Sequence, residues 1–381
     1  MAREHVSCSN VLGVTAVPPS GYLERLRQLC AIDSPTGYRE GLDACASLLA
    51  HWATGSGCVA ELVPSPVGLH VVARAPGTSG RRILLLGHHD TVFPPGTAAA
   101  RPLRVEGTRA LGPGVADMKG GVLIGLTVIE ELARRSSGAA VELHCVPDEE
   151  GRNVAPYTLA SMRGADAALC LECGRESGAL VTSRKAGCWI TVTAHGVPAH
   201  AGTSPDEGRS ALRALARELL RIEGELHHGR PGMTAVATQL HAGEVKNTVP
   251  AEAWGVIDVR ALDDADLDYA LGRIRAVGHH DGIVFAFSDD RGFPPMRRAP
   301  ELASAALRAL AAPGAEATQE PAGGVADGSW TSPVGVPTGD GFGPIGGEDH
   351  TEREWIELGS VAPRVAAIVA LCTQDATGGV S

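Results

Sequence analysis

The strongest fold signal in this chain is the segment Arg82-Ile-Leu-Leu-Leu-Gly-His-His-Asp-Thr-Val-Phe93. Its four apolar residues, from Ile83 to Leu86, predict a short strand that is buried on both faces, as strands inside a parallel sheet are. A His-His-Asp cluster follows Gly87, at the point where such a strand leaves the core. Ligands of open α/β sheets bind beyond the carboxyl ends of the strands, so this cluster predicts a functional site.

The same pattern occurs twice more along the chain. Val141-Glu-Leu-His-Cys-Val146 continues into Pro147-Asp-Glu-Glu150, and Ala167-Ala-Leu-Cys-Leu171 continues into Glu172. Three predicted strands therefore bring histidine and carboxylate side chains to one edge of one sheet. Imidazole and carboxylate groups are typical zinc ligands, so the pattern predicts a metal site at this edge.

Composition excludes several classes of partner. The chain has 381 residues, of which 44% are hydrophobic and 20% charged, as in a soluble protein of two ordinary domains. Its net charge of -11 argues against nucleic acid and against an anionic membrane surface, because both require clustered Lys and Arg. No apolar run reaches the roughly 18 residues of a transmembrane helix. The first residues lack the apolar core of a signal peptide, and the nine cysteines are scattered, so we expect a cytoplasmic protein with reduced thiols.

The periodicity predicts an α/β fold in which a central, mostly parallel sheet carries an inserted domain. We expect residues 20–184 to form the first part of the main domain and residues 294–375 its second part. Between them, residues 185–293 follow the order β-α-β-β-α-β, which is the ferredoxin-like arrangement. Asp117 precedes a helical pattern that starts at Val122, so we expect it at a helix opening, where backbone N–H groups would hold its carboxylate.

Several motifs in this order resemble one family. They are Gly87-His-His-Asp-Thr-Val92, Gly112-Pro-Gly-Val-Ala-Asp-Met-Lys-Gly-Gly121, Asp148-Glu-Glu150, Glu172, Ala199-His-Ala-Gly202, Asn247-Thr-Val-Pro250, Asp258-Val-Arg260 and Gly347-Glu-Asp-His350. Together they resemble the glutamate carboxypeptidase and aminoacylase family of two-zinc metallopeptidases. The resemblance implies a catalytic α/β domain with an inserted ferredoxin-like lid, which agrees with the predicted elements.

The resemblance also implies a ligand set for two Zn²⁺ ions per subunit, with Co²⁺ or Mn²⁺ as substitutes. In that set His88 ligates one zinc, His350 ligates the other and Asp117 bridges both, while Glu150 completes one site and Glu172 the other. A bridging carboxylate suits two ions that lie about 3.5–4 Å apart.

Two further acids have supporting roles in this interpretation. Asp90 lies two residues after His88, hence on the same side of an extended segment, and would hold the imidazole by its other nitrogen. Glu149 is the candidate general base, which would activate a water molecule and later pass the proton to the leaving amine.

The inserted domain contributes a second group of residues. The resemblance implies that His200 reaches across a dimer interface to hydrogen-bond the substrate carbonyl in the partner's site. It also implies that Asn247 and Arg260 hold the free carboxylate of the substrate, a role for which the planar fork of arginine is suited. We therefore expect a homodimer that forms through the lid.

The predicted function is a zinc-dependent hydrolase that cleaves an amide bond next to a free carboxylate, as a carboxypeptidase or N-acyl-amino-acid deacylase does. Two alternatives stay open: an aminopeptidase or dipeptidase of the same family, and a non-catalytic small-molecule binding protein on this fold. Individual residues also have simpler interpretations. His88 could be a core histidine, the pair Glu149-Glu150 a solvated turn, His200 an ordinary loop residue and Arg260 one half of a surface salt bridge.

Overall fold

The computed structural model describes residues 17–135, 138–151, 160–311 and 317–373, so the predicted end of the main domain at residues 374 and 375 lies outside it. The chain divides into two compact units. Their bounds are Met1–Ser183, Met296–Ala322 and Ala326–Ser381 for the first, and Arg184–Pro295 and Gly323–Val325 for the second. Within the described ranges, no helix combines the length and the apolar character needed to cross a membrane.

The elements are numbered in chain order. The first part of unit one contains α1 (Tyr22–Cys30), α2 (Arg39–Gly55), β1 (Val59–Pro64), β2 (Leu69–Ala75), β3 (Arg82–His88), α3 (Thr97–Ala100), β4 (Arg104–Glu106), β5 (Arg109–Leu111), α4 (Gly120–Arg135), β6 (Ala140–Val146), β7 (Ala167–Cys170) and β8 (Leu180–Arg184). Unit two contains β9 (Ala186–His195), β10 (Ala199–His200), α5 (Ala211–Leu226), β11 (Thr234–Ala242), β12 (Thr248–Val249), β13 (Glu252–Ala261), α6 (Asp264–Arg275) and β14 (Val284–Phe293). Unit one then resumes with α7 (Pro300–Leu310), β15 (Gln319–Ala322), β16 (Thr338–Gly339), β17 (Gly346–Gly347), β18 (Trp355–Glu357) and α8 (Val361–Thr373).

The central sheet of unit one has the strand order β1-β2-β6-β3-β7-β16. Strands β6, β3, β7 and β16 are parallel to one another, whereas β1 and β2 form an antiparallel edge. The predicted α/β fold with a mostly parallel sheet is therefore confirmed. The parallel strands place their carboxyl ends at one edge, which is where the predicted site residues follow them.

Strand β3 is buried on both faces because each face packs against a different apolar cluster. Ile83 and Leu85 belong to the large core formed with α1, α2, α4 and α8. Leu84 and Leu86 belong to a smaller cluster on the opposite face, together with Met162. Burial of each such side chain contributes about 1.5–3 kcal/mol, so the strand that ends at His88 is firmly supported.

Unit two is built on an antiparallel sheet with the strand order β11-β13-β9-β14. On β9, the residues Cys188, Ile190, Val192 and Ala194 are fully buried and alternate with more exposed residues, which is the period of a strand with one covered face. Leucines of α5 and α6 share this core. Around this sheet the chain follows the order β-α-β-β-α-β, as the sequence pattern predicts.

The two helices of unit two begin at side-chain caps. The Ser210 hydroxyl accepts a hydrogen bond from the backbone N–H of Arg213, and the Asp263 carboxylate accepts one from Asp266. Such caps satisfy one of the backbone N–H groups that a helix start leaves without a partner. The caps explain why α5 and α6 begin where they do.

A small antiparallel sheet of unit one has the order β17-β18-β5-β4. Its strands are only two or three residues long, and their sequence shows no detectable period. The sheet matters because Glu354 immediately precedes β18, while the chain after β5 leads to Asp117.

The expected helix opening at Asp117 is wrong. Helix α4 begins at Gly120, and Asp117 lies in a kinked, non-helical turn with φ of -120° and ψ of 93°. The Asp117–Met118 peptide bond is cis. The Asp117 carboxylate contacts imidazoles, and the backbone N–H of this residue donates to Glu354. Contacts distant in sequence, which periodicity does not report, thus determine the conformation of this turn.

Candidate active site

The site lies at the carboxyl ends of three neighbouring strands. Strand β3 ends at His88, which is in register with Val146 at the end of β6. Glu150 follows β6 by four residues and Glu172 follows β7 by two. Because β6, β3 and β7 are parallel neighbours, these side chains extend from the same edge of the sheet.

One group of potential ligands contains His88, Asp117 and Glu172. The Nε2 atom of His88 lies 2.9 Å from Oδ1 of Asp117 and 3.8 Å from Oε1 of Glu172. A second group contains Asp117, Glu150 and His350: the Nε2 atom of His350 lies 3.0 Å from Oδ2 of Asp117 and 3.3 Å from Oε1 of Glu150. In each group the ligand atoms lie within 4.8 Å of one another.

Asp117 is the member that both groups share. Its Oδ1 atom faces His88 and its Oδ2 atom faces His350. The structure thus brings all five predicted ligands together, and the shared carboxylate has the arrangement that a bridging ligand needs. That these side chains bind metal remains a prediction.

The donor set fits cations. Among the described residues, His88 Nε2 and Glu150 Oε1 are buried and have no hydrogen-bond partner, although short contacts surround them. A buried polar atom without a hydrogen bond is unfavourable unless another partner, such as a cation, satisfies it. Both atoms belong to the two groups described above, and their chemistry is that of zinc ligands.

The pKa values of the metal-free protein also indicate a site that favours positive charge. A hydrogen bond to Asp117 and the nearby carboxylate of Glu150 raise the pKa of His350 to about 11. Burial alone lowers the pKa of His88, but the adjacent carboxylates of Asp117 and Asp90 raise it well above the usual value. The carboxylates therefore stabilise positive charge at both imidazoles, as they would stabilise a bound cation.

Asp90 connects the end of β3 with the turn that follows β6. Its Oδ1 atom lies 3.2 Å from Nδ1 of His88 and accepts a hydrogen bond from the backbone N–H of Glu149 at 3.2 Å. Its Oδ2 atom accepts from the backbone N–H of Glu150 at 3.0 Å and from the Thr36 hydroxyl at 2.6 Å. Asp90 is fully buried, so these donors determine where its carboxylate lies.

Glu149 precedes the ligand Glu150 and belongs to the same turn. Burial raises the pKa of its carboxyl well above the usual value, and the negative charges of Asp327, Glu172 and Asp117 act in the same direction against the opposing charge of His88. A carboxyl with a raised pKa can accept a proton and release it again near neutral pH. The environment of Glu149 therefore suits the predicted base.

His200 and Asn247 lie next to each other in unit two, because His200 ends β10 and Asn247 immediately precedes β12, the strand that pairs with β10. Their nearest side-chain nitrogens, Nε2 of His200 and Nδ2 of Asn247, are 3.5 Å apart. The Nδ1 atom of His200 accepts hydrogen bonds at 3.1 Å from the backbone N–H groups of Gly202 and Thr203. The neutral imidazole must then have its proton on Nε2, which makes this exposed atom a hydrogen-bond donor.

Arg260 forms an ion pair with Asp258, so the simpler interpretation of this arginine is at least partly correct. Its Nε and Nη2 atoms donate to the two Asp258 oxygens at 2.8 and 2.9 Å, and its guanidinium lies over the ring of Trp189. The Nη1 atom takes no part in this pair. It lies against Gly187, where an added Cβ would be 2.7 Å from it. The ion pair orients the fork and leaves Nη1 able to donate.

Two residues that contact this site escape sequence reasoning. Thr36 donates to Asp90 across 54 positions, and Glu354 accepts from the turn of Asp117 across 237. Neither lies in a periodic element. The only sequence signal is that Glu354 follows His350 by four residues.

Two groups of histidine and carboxylate side chains at the carboxyl edge of a parallel sheet are typical of the class of metal-dependent α/β hydrolases. Within it, the chain belongs to the Peptidase family M20/M25/M40, whose family model matches residues 84–374. The resemblance inferred from the motifs is thereby confirmed. The protein is an enzyme, a metallohydrolase that acts on the carbon–nitrogen bonds of peptides or amides.

Two curated relatives span almost the whole chain. Carboxypeptidase G2 of Pseudomonas sp. (strain RS-16) is 28% identical over 90% of this chain and 86% of its own length. A succinyl-diaminopimelate desuccinylase of Halorhodospira halophila is 26% identical over 89% of this chain and 94% of its own length.

Solved structures share the fold. Aminopeptidase PepT from Bacillus cereus superposes with a TM-score of 0.81 at 18% identity and covers 94% of this chain and 98% of its own. The M20 family metallo-carboxypeptidase Sso-CP2 from Sulfolobus solfataricus superposes with a TM-score of 0.71 at 16% identity, covering 91% of this chain and 97% of its own. At such identities the likeness concerns the fold and not the substrate.

Proposed function

We propose that the protein is a zinc-dependent hydrolase that cleaves an amide bond next to a free carboxylate, as a carboxypeptidase or an N-acyl-amino-acid deacylase. The observation that supports the proposal most directly is the Asp117 carboxylate, which faces His88 through one oxygen and His350 through the other. The names of the two relatives, a carboxypeptidase and a desuccinylase, agree with this substrate class.

The two groups of ligands would hold two zinc ions, for which cobalt or manganese could substitute. When bound, such ions lower the pKa of a water molecule that they share and polarise the carbonyl of the substrate. Metal analysis of the purified protein should give two equivalents per subunit. Replacement of Asp117 by Asn should reduce both equivalents, since this residue belongs to both groups.

Glu149 would act as general base and then as general acid. It would accept a proton from the attacking water as the new carbon–oxygen bond forms. It would then donate that proton to the amine nitrogen as the carbon–nitrogen bond breaks. Asp90 would position this turn, because it accepts the backbone N–H groups of Glu149 and Glu150 while it contacts His88.

Arg260 and Asn247 would hold the free carboxylate of the substrate. Asp258 already occupies two donors of the Arg260 fork and so reduces its freedom. The remaining Nη1 donors could bind a carboxylate at a small entropic cost, because the side chain is ordered beforehand. Substrates whose carboxylate is amidated or esterified should therefore be poor.

His200 would donate from Nε2 to the substrate oxygen that becomes negative in the tetrahedral intermediate. The backbone donors Gly202 and Thr203 favour the tautomer that this role needs. We propose that His200 acts in the site of a partner subunit, in a homodimer that forms through the inserted domain. One such donor contributes about 2.7–4 kcal/mol to transition-state stabilisation.

A substrate screen tests the proposal. Purified protein is incubated with zinc, cobalt or manganese and a panel of N-acyl amino acids, dipeptides and the matched amides of their carboxylates. We expect hydrolysis of the free acids only, abolished by a chelator and restored by added metal. Equal rates on acids and amides would favour the aminopeptidase alternative, and binding without hydrolysis would favour the binding-protein alternative.

A further inference from the structure

The carboxylate of Glu354 is buried within the turn that contains Asp117. Its Oε2 atom accepts the backbone N–H of Gly114 at 2.8 Å, and its Oε1 atom accepts those of Ala116 at 2.8 Å and Asp117 at 3.0 Å. Only 1% of Glu354 is exposed. Both oxygens of this carboxyl group are therefore hydrogen-bond acceptors for the backbone of the turn.

The small antiparallel sheet explains how Glu354 reaches this position. Trp355 of β18 pairs with Leu111 of β5, so Glu354 lies opposite the residues that follow β5. There the chain turns at Gly114, whose φ of 74° favours glycine, and an added Cβ would lie 2.8 Å from Cγ2 of Thr91. The turn thus wraps around the carboxylate with its N–H groups directed inward.

Hydrogen bonds of Lys119 fix the opposite side of the turn. Lys119 is buried, and its ammonium donates to the backbone carbonyls of Leu29 at 3.1 Å and Ile32 at 2.8 Å. Its backbone N–H donates to the carbonyl of Gly114 at 2.8 Å. With Lys119 holding one end, Glu354 determines the position of the other.

The consequence concerns the shared ligand. One of the backbone N–H groups from which Glu354 accepts a hydrogen bond is that of Asp117 itself, so Glu354 places the backbone from which this side chain extends. Glu354 also follows His350 by four residues and thus links the segment of one ligand to the turn of the other. The imidazole of His350 and the carboxylate of Asp117 lie 3.0 Å apart.

We propose that Glu354 is a positioning residue that holds Asp117 where its two oxygens reach His88 and His350 at once. The inference rests on the proposed metal site and deepens it. Supporting residues of metal ligands alter metal affinity or activity by about 10–100-fold when they are replaced.

The test compares Glu354→Gln with the matched control Glu352→Gln, which changes an exposed glutamate of the same segment. The amide of Gln places an N–H against the N–H of Gly114 or against those of Ala116 and Asp117. Metal-free proteins are titrated with cobalt in competition with a chromophoric chelator, and the visible cobalt spectrum and the melting temperature of the metal-free form are recorded.

For Glu354→Gln we expect the dissociation constant of cobalt to rise by about 10–100-fold and the cobalt spectrum to change. The control should match the wild type in both. A variant that melts earlier but keeps the wild-type affinity and spectrum would show a role in stability alone and overturn the inference.

The remaining outcomes are also decisive. If Glu354→Gln does not fold, Glu354→Asp keeps the carboxyl group on a shorter side chain and should show weakened cobalt binding. Wild-type affinity in that variant would overturn the inference. Failure of both variants to fold would assign Glu354 to folding and equally contradict it. If the wild type and Glu352→Gln bind no cobalt, the proposed metal site itself fails. If Glu354→Gln binds cobalt as tightly as the wild type and Glu352→Gln do, only the positioning role fails.

Discussion

Replacement of Asp90 by Asn should separate the placement of the base from metal binding. In the structure Asp90 faces four donors: His88 Nδ1, the backbone N–H groups of Glu149 and Glu150, and the hydroxyl of Thr36. Asparagine keeps one acceptor oxygen and replaces the other with an NH₂ group. If the amide oxygen takes the place of Oδ2, the NH₂ group faces the N–H of Glu149 and Nδ1 of His88, but this imidazole keeps its hydrogen bond to the backbone carbonyl of residue 90 at 3.1 Å. In the opposite orientation the NH₂ group faces the N–H of Glu150 and the Thr36 hydroxyl, which can also accept a hydrogen bond. In either orientation, one backbone N–H therefore loses its acceptor.

The size of the effect follows from this count. A buried donor that loses its acceptor costs about 1–3 kcal/mol. The amide oxygen should remain with Glu150 and Thr36, whose contacts are the shorter ones, which leaves the N–H of Glu149 without an acceptor. We expect kcat/KM to fall by about 10–10²-fold, equivalent to about 1.4–2.7 kcal/mol.

The assay measures kcat/KM at saturating zinc together with zinc affinity, and Thr36→Val is the comparison. That change removes one donor from Asp90 and leaves its contacts to His88 and Glu149 intact, so kcat/KM should fall by less than about tenfold. If Asp90→Asn kept kcat/KM within about threefold of the wild type, the argument that this carboxylate positions the base and the histidine would be refuted.

Four further predictions follow from the site and the core. Glu149→Gln should lower kcat by about 10²–10⁴ with unchanged zinc content, because it removes the proton acceptor; loss of zinc in metal analysis would show instead that this residue is a ligand. Arg260→Ala should cost about 2–5 kcal/mol in kcat/KM for acids and little for their amides, and an equal loss for both would contradict carboxylate binding. An inactive His200→Ala protein mixed with inactive Glu149→Gln under subunit exchange should regain activity, since one site per mixed dimer then combines an intact Glu149 with His200 of the partner subunit; an inactive mixture with proven exchange would exclude action in the partner's site. Burial lowers the pKa of His70 from 6.5 to about 3. On acidification this imidazole is therefore protonated first in the unfolded chain, and the free energy of unfolding decreases as the pH is lowered from about 6.5. Between pH 7 and pH 5, the free energy of unfolding measured with denaturant should decrease by about 2 kcal/mol less in His70→Gln than in the wild type or in the exposed control His51→Gln. Equal decreases would contradict the assignment.

The location of the site could be predicted because its main signals are local. A buried apolar run followed by His88, by Glu149-Glu150 or by Glu172 indicates a strand and a polar strand end in the same few residues. Parallel strands place such ends at one edge, so local patterns were sufficient to predict convergence. The structure brings His88 and Glu172 within 3.8 Å of each other.

The turn around Asp117 could not be predicted in the same way. The sequence suggested a helix start, but Glu354 binds the backbone N–H groups there and α4 begins only at Gly120. The strands that bring Glu354 to this turn, β5 and β18, have three residues each, too few for a detectable period. Arg260 shows a related difficulty, since a motif suggests a role but not that Asp258 occupies two of its donors.

Local sequence patterns are sufficient to predict the class of the fold and the edge of the sheet where the candidate site residues converge. Hydrophobic periodicity is a property of neighbouring residues, and it is sufficient to define strands and their ends. The position of Asp117 between His88 and His350, and the contacts of Thr36 and Glu354 with the residues around it, follow from the tertiary structure alone. These contacts join residues far apart in the chain, and their geometry depends on irregular turns whose conformation is set by the packed structure around them.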